Sequence, residues 1–183
     1  MSSIRMRLDY KTATLGLVVI AMFLPMRQND AKATTIFTSN LTGLQETPPN
    51  ASPASGSGTF TLNEARTDLS FNVTYTGLTG GSITGTHFHV APLDVAGPIV
   101  RGLDIGSATS PNGTFAGVWR STDAQALTPV LVNALFDNNI YFNIHTQVFP
   151  AGEIRGQLVP EPATGLLLAA GLVGMALWRK RAR

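Results

Sequence analysis

The chain has 183 residues, a formal net charge of +2 and no cysteine, which excludes thiol catalysis, cysteine-built zinc sites and a disulfide framework. Its pI of about 9.3 would suit nucleic acid or a membrane surface if the charge were evenly spread. It is not: residues 1–33 carry five Lys/Arg and 179–183 four, while 34–160 hold four arginines against eight acids, a net −4. The basic balance belongs to the ends, and no nucleic-acid partner is expected.

Residues 1–33 read as a secretory signal peptide. A basic stretch ends at Lys11, the apolar run Ala13–Leu24 follows, and Ala31-Lys32-Ala33 offers a small-x-small cleavage site before Thr34. That run is too short to span a bilayer, which takes about 20 residues. At the other end, Pro160-Glu161-Pro162 precedes the apolar run Ala163–Trp178 and the basic Arg179-Lys180-Arg181. Sixteen helical residues would reach roughly 24 Å, enough for a transmembrane helix if Trp178 and the arginines snorkel to the interface. A Pro-Glu-Pro motif, an apolar helix and a basic cluster, in that order, resemble the PEP-CTERM sorting signal. The resemblance implies a Gram-negative bacterium, export machinery and an exosortase as partners, and attachment to the membrane through 163–178 before processing. The destination would be the cell envelope or an extracellular polysaccharide matrix.

Between the two addresses lie about 127 residues (34–160), enough for one domain with a core. Thr34–Leu44 reads as a first strand, and Gln45–Gly58, with Pro48, Pro49 and Pro53, as a loop. Gly58–Leu62 and Leu69–Tyr75 alternate apolar and polar residues around the turn Asn63–Asp68, the pattern of a hairpin. Further strands are expected at Ile83–Val90, Ile99–Ile105, Thr114–Arg120, Ile140–Thr146 and Glu153–Leu158. Thr128-Pro129 predicts a helix start, with Val130, Leu131, Ala134 and Leu135 on the apolar face of a short helix to Phe136. Short strands separated by Gly/Pro turns imply an all-β fold, an antiparallel β-sandwich or barrel of immunoglobulin-like or superoxide-dismutase-like type with one short helix.

The chain has three histidines. His87 and His89 alternate with Phe88 and Val90, so strand geometry points the pair to one face. On Ile140–Thr146 the same rule sets Tyr141, Asn143 and His145 against Ile140, Phe142 and Ile144. On the last strand it sets Glu153, Arg155 and Gln157 against Ile154 and Leu158. If these strands are neighbours, one polar face results. His87, His89 and His145 are then candidate ligands for one copper or zinc ion, with Glu153, Tyr141 or water at a further position. Such a site would admit Lewis-acid or redox chemistry. The alternative is structural: imidazoles hydrogen-bonded across strands, with Glu153 and Arg155 in a cross-strand ion-pair network. No phosphate-binding loop, dinucleotide fingerprint or nucleophile elbow occurs. A binding or structural module contacting polysaccharide or surface proteins is therefore favoured over an enzyme. Trp119 is expected in the core.

The motif order also resembles the CHRD domain. The matching residues are Leu41-Thr42-Gly43, Glu46-Thr47-Pro48-Pro49, Gly58-Thr59-Phe60, Tyr75-Thr76-Gly77-Leu78 and His87-Phe88-His89. They continue with Gly97-Pro98-Ile99-Val100, Tyr141-Phe142-Asn143-Ile144-His145-Thr146 and Pro150–Leu158. The chain departs from the family after His89, where Val90-Ala91-Pro92 stands in place of a frequent glycine. The resemblance assigns 34–158 to an extracellular β domain and leaves 159–183 to the sorting segment.

Overall fold

Alternation along Asp68–Thr76 (β3) makes a two-faced strand, with Leu69, Phe71, Val73 and Tyr75 buried and Ser70, Asn72 and Thr74 in solvent. It pairs antiparallel with Ser55–Leu62 (β2) in unbroken register from Ser55↔Thr76 to Leu62↔Leu69, the expected hairpin. The computed structural model of the protein describes residues 34–104 and 109–161. The expected signal peptide, Pro162 and the apolar run 163–178 lie outside the described residues. No helix among the described residues is long and apolar enough to cross a membrane.

The remaining elements are Thr35–Thr42 (β1), Ile83–Val90 (β4), Ile99–Gly102 (β5), Gly113–Arg120 (β6), the helix Pro129–Phe136 (α1), Ile140–Thr146 (β7), Ile154–Gln157 (β8) and Val159–Pro160 (β9). Pairing runs β5-β4-β7-β8-β1-β2-β3-β6, with β9 also on β1, and every pair is antiparallel. The sheet curls into a nearly closed barrel. Phe88 of β4 shows this: its ring lies 5.4 Å from Phe71 of β3 and 5.2 Å from Trp119 of β6, strands at the far end of the pairing order. Phe60 and Phe142 complete the cluster at 5.8 and 5.0 Å. Offset and edge-on rings of this kind dominate a small core. Trp119 is fully buried, as expected, and its indole N–H donates to Gln125 O.

Two expectations need correction. The loop Gln45–Gly58 is shorter than its proline content suggests, because β2 begins at Ser55 and a 3₁₀ turn occupies Gly43–Gln45. Helix α1 starts where predicted, with the Thr128 hydroxyl accepting from Leu131 N. Its buried face, however, is Val132 and Leu135, and Val130 is 75% exposed. In two turns of helix a slightly rotated stripe suits the apolar positions almost as well, and Leu131, Ala134 and Phe136 flank the buried pair.

Candidate functional site

Strands β4, β7 and β8 are neighbours, in registers His87↔Asn143↔Arg155 and His89↔Tyr141↔Gln157. Alternation therefore delivers His87, His89, Tyr141, Asn143, His145, Arg155 and Gln157 to one side of the sheet. The three histidines cluster there. Ring centroids are 4.9 Å apart for His87–His145, 5.5 Å for His87–His89 and 6.1 Å for His89–His145. One ligating nitrogen from each lies within 4.8 Å of the others.

Neighbouring groups orient the rings. The Nδ1 atoms of His89 and His145 stand 2.8 and 2.9 Å from the carbonyls of Gly97 and Pro150. A carbonyl only accepts, so Nδ1 carries the proton in both and Nε2 keeps the lone pair. His89 Nε2 and His87 Nδ1 are buried without a hydrogen-bond partner. His145 Nε2 is 3.1 Å from Asn143 Oδ1; a neutral ring there calls for the amide turned about, so that its NH₂ donates. His87 lies against Gly85, where a Cβ would stand 2.7 Å from its Cε1 and 3.0 Å from its Nε2. A β-bulge between Ile83 and Gly85 sets that glycine opposite His145.

All three imidazoles are held neutral. Burial lowers His87 to about 4, aided by the neighbouring His145 and His89. Burial also lowers His89 and His145, against the opposing bonds to Gly97 and Pro150. Neutral imidazole is the ligating form.

Tyr141 links this cluster to a buried cation. Its ring stacks on His89 at 4.8 Å and 9°, and the Arg155 guanidinium carbon lies 3.4 Å from its centroid. Tyr141 Oη accepts from Gly97 N. Arg155 donates to Val95 O, Pro92 O, Thr47 Oγ1 and Gln157 Oε1. It thereby fastens the 91–98 loop and the Thr47 segment to β8.

Glu153 does not belong to this face. It is fully buried elsewhere and accepts from Ser52 Oγ, Thr79 N, Thr79 Oγ1, Gly80 N and Thr146 Oγ1. Thr146 alternates to the side opposite His145, so Glu153 is neither a further ligand nor the partner of Arg155. The turn before β8 is responsible: the strand begins only at Ile154, so Glu153 belongs to the turn shaped by Gly152 (φ +131°), and the alternation of β8 does not extend to it.

Glu46 is the residue that strand periodicity missed. It is 6% exposed, and burial raises its carboxyl to about 7 against the opposing effects of Arg155, Thr47 N–H and the Asn143 amide. A Cβ on Gly152 would collide with its carboxylate, so that glycine makes its room. The one legible sign of Glu46 was its place in Glu46-Thr47-Pro48-Pro49, since an acid in a proline-rich loop shows no periodicity.

A nearly closed antiparallel barrel with a histidine-bearing polar face, followed at once by a sorting motif, defines an exported β-domain protein. Residues 37–158 match the CHRD domain, and residues 158–181 match the PEP-CTERM protein-sorting motif. The chain belongs to the CHRD domain family, and its sorting motif marks it as an exported protein processed by an exosortase. No curated protein and no solved structure matches it.

Proposed function

We propose that the domain is a metal-binding module of the cell envelope or extracellular matrix of a Gram-negative bacterium, holding one copper or zinc ion on His87, His89 and His145. The observation that carries this reading is the convergence of three neutral imidazoles within 4.8 Å of one another. Two of them are fixed through Nδ1–H to backbone carbonyls, and a hydrogen bond at the far ring nitrogen is what orients a metal-binding histidine. Bound copper would supply redox chemistry and bound zinc a Lewis acid. The chain's own part is to orient: Gly97 and Pro150 fix the tautomers, and Tyr141 braces His89. Elemental analysis of the exported protein after exposure to each ion should find one equivalent. His89→Ala should bind at least a hundredfold more weakly with its far-UV spectrum unchanged. Substoichiometric metal with both ions would sink the proposal.

The room Gly85 leaves for His87 gives an independent check. Gly85→Ala pushes the ring away, and affinity should fall about tenfold, the low end for losing a group that positions a ligand, in isothermal titration. An unchanged affinity would remove His87 from the ligand set.

A second reading, contact with matrix polysaccharide, draws on an open groove of about 610 Å³ lined in part by Asn40, Gln45, Leu93, Asn138, Asn139 and Val159. Its amides offer donors and acceptors beside apolar carbon. Polysaccharide retention that survives His89→Ala but not Asn139→Leu would favour this reading.

A further inference from the structure

The sorting motif begins inside the fold. Leu158 is fully buried, and the next two residues are already β9, with Phe37↔Pro160 and Thr38↔Val159 paired on β1. The ladder extends one step further, where Glu161 N donates to Ile36 O at 2.9 Å. This bond makes Ile36 and Glu161 a hydrogen-bonded pair. The alternate position, Phe37 and Pro160, then asks for no N–H, and proline fits there without loss. Of the three motif residues, Pro160 is thus a strand residue of the domain, and Glu161 is bonded to β1 just beyond it. Only Glu161 and Pro162 stand between β9 and the apolar run at Ala163.

We propose that β9 is a latch: exosortase can take hold of Pro160-Glu161-Pro162 only after β9 has left β1. The backbone N–H of Glu161 cannot bond Ile36 and an enzyme's substrate groove at once, and peptide grooves characteristically grip main-chain groups of extended segments. Sliding past the domain does not help. From Leu158, anchored in the core, to Glu161 the chain reaches at most about 10 Å, which sets the body of the barrel against any enzyme holding the motif. Release is local, because β9 contributes only two residue pairs and lies at the C-terminal end of the described residues, and terminal segments open without global unfolding. The latch therefore sets the rate of processing and leaves the fold intact.

Thr38→Cys with Val159→Cys tests this on the full-length precursor in exosortase-bearing membranes. The two positions are directly paired at a spacing typical of hydrogen-bonded neighbours, about 5.5 Å, within disulfide reach. The chain has no other cysteine. The oxidised precursor should be processed at least tenfold more slowly than the same protein after reduction, read as the ratio of precursor to mature band. Equal rates before and after reduction overturn the latch. A six-residue Gly/Ser insertion between Val159 and Pro160 frees the motif from β1 and should be processed at least as fast as the natural chain. A marked slowing would mean that the enzyme needs β9 in place, which also overturns it.

Discussion

Replacing Glu153 with alanine should destabilise the domain by about 3–5 kcal/mol, the range for uncovering several buried donors at once. Five hydrogen bonds converge on this carboxylate, from Ser52, Thr79 (backbone and hydroxyl), Gly80 and Thr146. They tie the loop before β2 and the turn before β4 to β7. Burial alone would raise the carboxyl, but the donors outweigh it and hold it below its ordinary value of 4.5. The sign of the pH dependence follows. A depressed carboxyl contributes stability that is present above about 4.5 and is lost as pH falls through its lower folded value. The gap between the natural chain and Glu153→Ala should therefore be full at pH 7 and shrink at pH 3. Glu153→Gln should fall between them, since its carbonyl still accepts from some of the donors while its NH₂ confronts the others. Urea denaturation at both pH values measures this; a gap below about 1 kcal/mol at pH 7, the worth of a single hydrogen bond, would show that water replaces the carboxylate.

Glu153 also marks where sequence reasoning stops. The faces of β3, β7 and the part of β4 beyond its bulge were legible because a period of two survives along them, and His87, His89 and His145 fall where it places them. The barrel was legible only as one of two architectures. What closes it is Phe88 meeting Phe71 and Trp119, contacts between strands far apart in pairing order that no local pattern encodes. Glu153 was misplaced because β8 begins only at Ile154, and strand alternation does not reach back into the turn. Val130 was misplaced because two turns of helix define an apolar stripe poorly. Strand β9 could not be read at all: it is two residues long and one is proline, a residue that argues against a strand unless its N–H is not required. Arg155 was assigned to the right face but the wrong neighbours, since Pro92, Val95 and Thr47 reach it through loops.

Glu46 carries the opposite pH signature. With its carboxyl raised from 4.5 to about 7, folding favours the protonated form. The associated stability is present below about 4.5 and is lost as pH rises through 7. At about 1.4 kcal/mol per pH unit, the ionised carboxylate costs the fold about 3 kcal/mol once titration is complete. Glu46→Gln keeps the shape and removes the charge, so it should be more stable than the natural chain by about 3 kcal/mol at pH 8.5 and nearly equal to it at pH 4. Arg155 argues against this gain, because its charge favours an ionised Glu46. Burial nonetheless stands first among the causes, and Arg155 retains the Tyr141 ring and two backbone carbonyls. Thermal or urea denaturation across pH 4–8.5 decides between them. A glutamine variant less stable than the natural chain at pH 8.5 would mean that attraction to Arg155 outweighs desolvation. The outcome bears on the histidines as well. A protonated Glu46, beside the Asn143 side chain, can offer its proton to Asn143 Oδ1, and that would leave the Asn143 NH₂ to face His145 Nε2, the amide orientation a neutral His145 requires.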